Sequence, residues 1–513
     1  MLVHRMLEAS ADRAPDAILL AHGGDRFTYA DVESRANRLA ALLAARGVAR
    51  GDRVGLLAEN GIEYVAGFFG ILKAGGCVVA LNSANKPHTS RQLLADSGAV
   101  GLVTRVAQVR RDLPETIDDC PALRFVVTDK AAPHWALPAG VAVLTASDVA
   151  AQPVARPAVA LEPSDLAAIL YTSGSTGVPR GATLTHGNLC ANTRQILDYL
   201  RLTADDSVLV VLPFHYSFGN SLLLTHVKMG GRLVVDNRFA YPQVIVETLA
   251  AERCTGFSGV PSTYAILCSK TDFLARPHEH LRYVTQAGGA MAPALVRRIR
   301  EALPPRIDVF VMYGQTEACA RLSYLPPARL LEKLGSIGIG IPGVSLTVRR
   351  EDGSECDVGE TGEITAAGDN IMRGYWNDPE ETAKVLKQGR LHTGDLGRRD
   401  ADGFIFVVDR LKNMIKSGAH RVSSKEIEET ILELPGVVEA CAIGVPDDLL
   451  GEAIEVYVVR RDDHAVEAQA ILRHCHAKLA KFKLPRAVHF IATLPKNSFG
   501  KVIKNELKGQ RAG

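Results

Sequence analysis

Between Tyr171 and Gly181 the chain reads Tyr-Thr-Ser-Gly-Ser-Thr-Gly-Val-Pro-Arg-Gly, residue types suited to holding phosphate. Ser173, Ser175 and Thr176 offer hydroxyl donors and Arg180 a permanent positive charge. Gly174, Gly177 and Gly181 let the backbone turn sharply and approach a bulky anion. The spacing is not that of a Walker loop, which places four residues between its first Gly and a Gly-Lys pair followed by Ser or Thr. On its own residues the segment is either another kind of phosphate cradle or a solvated Gly/Ser turn.

The elements around it decide how such a loop would be presented. Leu166 to Leu170, immediately before it, is a short apolar run suited to a buried strand. Upstream, Thr28 with Asp31 makes a helix-capping pattern, and Val32, Ala36, Leu39, Ala40 and Leu43 then share one helical face. Arg53 to Ala58 and Cys77 to Leu81 read as strands flanking a helix with the stripe Ile62, Val65, Phe69 and Leu72. Further strand signals at Gly101 to Thr104, Arg124 to Thr128 and Ser207 to Leu212, interleaved with helical stretches, predict α/β layers with largely parallel sheets. Ligands in such folds gather at strand ends. From about Ser345 the texture changes to short strand signals at Leu346 to Val348, Gly362 to Ala366 and Gly403 to Val408, separated by Gly/Asp turns. After Asp409-Arg410-Leu411-Lys412-Asn413 it turns to α+β, with a helix expected over Ser424 to Leu434 and a strand over Ala440 to Val445. The tail from Leu494 to Gly513, rich in Lys, Gly and Asn, reads by default as a mobile, solvated end.

Length and charge narrow the function classes. A chain of 513 residues implies more than one domain and a large core. With 59 Lys and Arg against 57 Asp and Glu, nothing in the net charge of +2 calls for nucleic acid or an anionic membrane as partner. The nine cysteines stand singly, without the spacing of a zinc site or a disulfide framework, so a reducing cytoplasm is the simplest setting. Met1 to Ala14 lacks the apolar core of a signal peptide, and no segment reads as a membrane span.

Four further segments follow the loop in order: Tyr313-Gly314-Gln315-Thr316-Glu317, Leu391-His392-Thr393-Gly394-Asp395-Leu396, Asp409-Arg410-Leu411-Lys412 and Pro495-Lys496-Asn497-Ser498-Phe499-Gly500-Lys501. Together the five resemble the adenylate-forming superfamily of acyl-CoA synthetases, peptide-synthetase adenylation domains and beetle luciferases. The resemblance runs from about Thr28 to Lys501. It implies an N-terminal AMP-binding domain over 1–409, whose β-rich subdomain spans about 345–409, and a small mobile C-terminal domain over 410–513.

The resemblance also implies a reaction and its residues. A carboxylic acid joins ATP to give an acyl adenylate and pyrophosphate, then passes its acyl group to a thiol, CoA by default, with Mg²⁺ as cofactor. Thr172, Ser173, Gly174, Ser175, Thr176, Gly177 and Arg180 would hold the leaving phosphates. Glu317 would bind Mg²⁺, Thr316 the α-phosphate, and Tyr313, Gly314 and Gln315 the nucleotide. Gly288, Gly289 and Ala290 would lie along the adenine. Asp395 would accept from the ribose hydroxyls, Arg410 would contact the same nucleotide, and Lys412 would be a hinge. Lys501 would be the main catalytic residue of adenylation, a cation between carboxylate and α-phosphate. His215 would gate the acid site, loosely lined by Tyr216, Ser258, Gln286 and Tyr313. A histidine at that place favours an acid without a free α-amine.

Two departures matter. Arg180 replaces the usual lysine, a planar fork in place of a point charge. The stretch Gly418-Ala419-His420-Arg421 differs from the usual Gly-Gly-Glu-Asn beside the pantetheine channel, so the resemblance leaves open a carrier-protein thiol, or an amine as in amide ligases related to coronafacate ligase. A luciferase-like oxidase has no separate mark in the sequence. His474-Cys475-His476 reads as one stretch of a surface helix, because adjacent residues point apart.

Overall fold

The computed structural model describes residues 1–109, 113–131, 137–172, 179–417, 420–447, 450–461, 466–496 and 502–509. By compactness the chain divides into two units. The first comprises Met1–Leu334, Gly338–Leu346 and Ala366–Leu391; the second comprises Gly335–Ile337, Thr347–Thr365 and His392–Gly513.

The first unit has the α/β layers expected of its alternating pattern. One eight-stranded sheet runs Gly374–Tyr375, Arg180–Thr185, Leu166–Thr172, Cys77–Ala80, Arg53–Leu57, Gly101–Thr104, Phe125–Val127 and Ala142–Leu144. From Leu166–Thr172 onward every pairing is parallel, and the first two strands close that edge antiparallel. A second sheet sets Asp308–Tyr313, Tyr283–Gln286, Gly256–Gly259, Ser207–Val210, Arg232–Val235 and Ile18–His22 side by side in parallel. Thr28 and Asp31 form the capping box that starts the helix Tyr29–Ala45, and its predicted face is buried. The helix Ile62–Lys73 goes further than its stripe, with nearly every residue buried. Lys73 within it is neutralised by Glu8 at 2.7 Å and Glu33 at 2.9 Å, as a buried ammonium must be. Among the described residues no helix is long and apolar enough to cross a membrane.

In the second unit, Arg390–Arg399 and Ile405–Arg410 pair antiparallel. The latter strand starts later than Gly403, because Gly403 takes φ +87° in the turn that Asp400 caps. It therefore carries Arg410 inside the ladder, opposite Asp395. The C-terminal residues form a sheet ordered His420–Val422, Ile415–Ser417, Gly451–Arg460 and Val437–Asp447, with Ala487–Phe490 beside Gly451–Arg460. The helices Ser424–Leu432 and Ala468–Lys478 cover it through Ile427, Ile431, Ile471 and Cys475. Cys475 is thus a core residue, while His474 pairs with Glu433.

The tail corrects its default reading. Leu494 is 4% exposed and Leu507 fully buried in a short helix, Lys504–Gly509. Lys504 Nζ donates to Glu428 Oε1 and Ser424 Oγ, each at 2.7 Å, and to the Ala442 carbonyl at 3.1 Å. Two apolar side chains and one cation facing a half-buried carboxylate suffice to dock a segment that composition marks as loose.

Candidate active site

The strands on either side of the hydroxyl-rich loop are paired with each other. Leu166–Thr172 turns back into Arg180–Thr185 with Thr172 opposite Arg180, and Thr172 Oγ1 donates to the Arg180 carbonyl at 3.4 Å. Ser173, Gly174, Ser175, Thr176 and Gly177 lie outside the described residues. Arg180 does not stand as an unpaired phosphate charge. Its guanidinium lies 2.9 Å from Glu381 and 3.7 Å from Asp378, at the acidic start of the helix Pro379–Val385. It also lies 5.9 Å from the centre of the Tyr375 ring. The charge of Arg180 is thus shared with two carboxylates.

Glu317 is set by a tight turn after the strand Asp308–Tyr313. Gly314 is required there, since a Cβ would lie 1.9 Å from the Ala320 carbonyl oxygen. Gln315 leads into a single turn, Thr316–Ala318, and Cys319 closes it at φ +62°, a conformation rarely held by a non-glycine residue. The Glu317 carbonyl accepts from Met372 N–H at 2.8 Å, and its Oε1 accepts from the Tyr375 hydroxyl at 2.8 Å. Burial, reinforced by Glu317, holds the Tyr375 hydroxyl well above the usual tyrosine pKa, so it stays a donor. Thr316 Oγ1 is 3.4 Å from Ser217 Oγ.

The structure thus gathers Arg180, Tyr375 and Glu317 into one cluster at the foot of the loop. Tyr375, Asp378, Glu381 and Ser217 were not legible as site residues. Tyr375 reaches Glu317 because Gly374–Tyr375 pairs with Ala182–Thr183, residues about 190 positions away, and no local spacing encodes that. Tyr375→Phe removes one hydrogen bond to a carboxylate. We expect roughly a five- to twentyfold fall in adenylation rate, corresponding to about 1–2 kcal/mol, with folding intact. Steady-state pyrophosphate release beside a melting curve checks it.

On the acid side, Phe214 is fully buried with its N–H on Asn60 Oδ1 at 2.8 Å, and the chain turns into the helix Ser217–Met229. His215 is 7% exposed, its ring 4.2 Å from that of Tyr216, and its Nε2 has no hydrogen-bond partner among the described residues. Burial pushes its pKa down to about 3, so it is a neutral imidazole at physiological pH. Ser258 is fully buried with its hydroxyl 2.7 Å from that of Thr285, so it serves the seam between two strands. Gln286 donates to the Gly289 carbonyl at 2.7 Å and shapes the turn through Gly288, at φ +84°, and Ala290. Tyr216 and Tyr313 are half-buried.

Burial also pushes His4, His186 and His226 down to about 4. For all four the folded pKa lies below the unfolded one, so unfolding takes up protons. Stability is therefore full above about pH 6.5 and falls as pH drops toward 4, by at most about 1.4 kcal/mol per pH unit for each histidine. Urea midpoints at pH 7.5, 6 and 5 should decline in that order; a flat series contradicts the assignment.

In the second unit Asp395, 4% exposed, accepts from Arg410 Nε at 2.8 Å across the strand pair. Two predicted nucleotide contacts are thereby joined directly. Asp409 next to it accepts from Ser423 and Ser424 hydroxyls, each at 3.0 Å, and fixes the start of the helix Ser424–Leu432. Lys412 falls in a single turn, Leu411–Asn413. Lys501 and the residues Gly418 and Ala419 lie outside the described residues.

The chain is similar to known proteins over nearly its whole length. Residues 7–376 match the AMP-binding enzyme family and residues 426–501 the AMP-binding enzyme C-terminal domain. A feruloyl-CoA synthase from Amycolatopsis sp is 36% identical over 97% of this chain and 96% of its own length. A long-chain-fatty-acid–CoA ligase from Escherichia coli O157:H7 is 31% identical over 99% and 94%. Among solved structures, ATP-bound MatB from Rhodopseudomonas palustris superimposes with a TM-score of 0.87 at 30% identity, covering 99% of both chains. The fold is also that of the anthranilate CoA ligase AuaEII in complex with anthranoyl-AMP, with a TM-score of 0.90 at 24% identity and coverage of 99% and 97%. By these matches the chain belongs to the AMP-binding enzyme family, as a ligase of the acyl-CoA synthetase type.

Proposed function

We propose that this protein activates a carboxylic acid with ATP, releasing pyrophosphate, and then passes the acyl group from the adenylate to the thiol of CoA. The observation that carries the reading is the cluster of Glu317, Tyr375 and Arg180 at the foot of the hydroxyl-rich loop. Joining two anions demands charge neutralisation and alignment more than covalent work by the protein.

Each residue has a task in that scheme. The loop from Thr172 to Arg180 binds the phosphates that depart, with Arg180 sharing its charge between them and Glu381. Thr316 orients the α-phosphate. Asp395, held by Arg410, accepts from the ribose hydroxyls, and Gly288 to Ala290 face the adenine. Lys501 places positive charge where the carboxylate meets the α-phosphate, and Lys412 is the position at which the backbone changes between the two half-reactions. Neutral His215 borders the acid without titrating. The N-terminal domain spans 1–409 and the C-terminal one 410–513.

The donor set suits Mg²⁺ carried by ATP. No group of three or more His, Cys, Asp or Glu side chains forms a metal cage among the described residues, and a single carboxylate with waters and phosphate oxygens is how Mg²⁺ is commonly held. Glu317, oriented by Tyr375, would hold it, and the ion would offset phosphate charge.

The test is a panel of carboxylic acids assayed for pyrophosphate release, followed by product analysis with CoA, with amino acids, or with neither. Thioester from an adenylated acid supports the reading. If adenylated acids give amide and no thioester, the acceptor is an amine; if no acid releases pyrophosphate, the activation step itself is wrong.

A further inference from the structure

Two cations are buried among the described residues, Lys73 and Arg321, each 2% exposed. Lys73 has two carboxylates within 3 Å. Arg321 has no carboxylate partner among the described residues. Its Nε lies on Met312 Sδ at 3.3 Å and its guanidinium carbon sits 4.0 Å from the centre of the Phe218 ring. Tyr199, whose hydroxyl reaches the same sulfur at 3.0 Å, is a neutral side-chain hydrogen-bond partner of the guanidinium. A sulfur and an aromatic face do not replace the water that a guanidinium loses on burial, and its donors outnumber these contacts.

The backbone at this arginine is held in place. Its backbone carbonyl accepts two buried amides, Asn370 Nδ2 at 2.9 Å and Asn192 Nδ2 at 3.1 Å. It also stands beside the proposed acid site. It follows Glu317 by four residues, just beyond that turn, where Gly314 packs against its backbone. Phe218, which it stacks on, opens the helix directly after His215 and Tyr216, next to the Ser217 that meets Thr316.

We propose that Arg321 receives an anionic group at the far end of the acid, so that the preferred substrates are dicarboxylates activated at one end. This rests on the acid-activating function above. A preorganised, desolvated guanidinium binds a carboxylate in a bidentate fork, and an analogue ending in methyl leaves those donors unmatched. Sites built around a buried hydrogen-bonding group reject the analogue that lacks it far more strongly than an apolar pocket rejects an extra methylene.

The experiment compares matched pairs, straight-chain dicarboxylates against the monocarboxylates of equal length and terephthalate against 4-methylbenzoate, in wild type, Arg321→Met and Arg321→Lys. Pyrophosphate release and ligand-induced shifts in melting temperature are both read. Wild type should favour the dicarboxylate of at least one pair by tenfold or more in kcat/KM. Arg321→Met should lose that preference by thirtyfold or more while keeping or gaining activity on the methyl partner, and Arg321→Lys should retain part of it. Unliganded Arg321→Met should melt no lower than wild type, since an uncompensated buried charge is being removed. Equal loss on both acids with a lowered melting temperature would make Arg321 structural, and a wild-type preference for methyl-ended acids would also overturn the proposal. If Arg321→Met does not fold, loss of the preference in Arg321→Lys decides for it and an unchanged preference against it. If neither class of acid releases pyrophosphate in wild type, the activation reading fails separately. Dicarboxylate-induced stabilisation of wild type but not of Arg321→Met then still reports on Arg321.

Discussion

Lys501→Ala loses adenylation by a factor of about 10²–10³, while transfer of a preformed acyl adenylate to CoA continues at near the wild-type rate. The size follows from removing one fixed charge at the point where negative charge develops, worth roughly 3–4 kcal/mol in a site shielded from water. The selectivity follows because thioester formation needs no new bond to the α-phosphate. Residues 502–509 are docked: Val502 bridges to Lys496, Lys504 holds Glu428 and Ser424, and Leu507 is buried. ATP–pyrophosphate exchange measures the first step and thioester formation from synthetic adenylate the second. Exchange at the wild-type rate in the variant would refute the assignment, and equal loss of both steps would make Lys501 a general structural contributor.

Glu317→Gln lowers the adenylation rate by about a hundredfold or more and raises the Mg²⁺ concentration needed for half-maximal activity. The substitution keeps shape, and the amide oxygen still accepts from the Tyr375 hydroxyl that now reaches Oε1 at 2.8 Å. In the proposed scheme, what changes is one negative charge beside Mg²⁺ and the phosphates, and a hard divalent cation discriminates strongly between carboxylate and amide oxygen. Melting temperature should move little, because Glu317 faces a site and not the core. The rate and the Mg²⁺ titration must move together. A variant with the wild-type Mg²⁺ dependence, however slow, would assign Glu317 to alignment of the turn. This effect should exceed that of Tyr375→Phe at least fivefold.

Much of the fold was legible because it is written locally. The Thr28–Asp31 box, the apolar face from Val32 to Leu43 and the run Leu166 to Leu170 each rest on residues a few positions apart, and helix and strand periods read them directly. The Ile62–Lys73 helix was visible by its stripe, but its burial on all sides was not, since that depends on what packs against its outer face. The tail shows the converse. Composition marks it as solvated, yet Leu507 joins a buried cluster and Lys504 finds Glu428, Ser424 and the Ala442 carbonyl, and the contacts of two residues are invisible in an average over the segment.

The sequence alone determined the α/β character and the order of the five motifs, and with that order the resemblance to the family, because each motif is a contiguous stretch of chain. Only the tertiary structure decided the company each charge keeps. Arg180 is balanced by Asp378 and Glu381, Glu317 is oriented by Tyr375, Asp395 is tied to Arg410, and Arg321 is left without a counter-ion among the described residues. Those pairings follow from strand register and helix packing, which join residues up to about two hundred positions apart. A charge reads the same in sequence whether it is paired or waiting; burial and geometry separate the two.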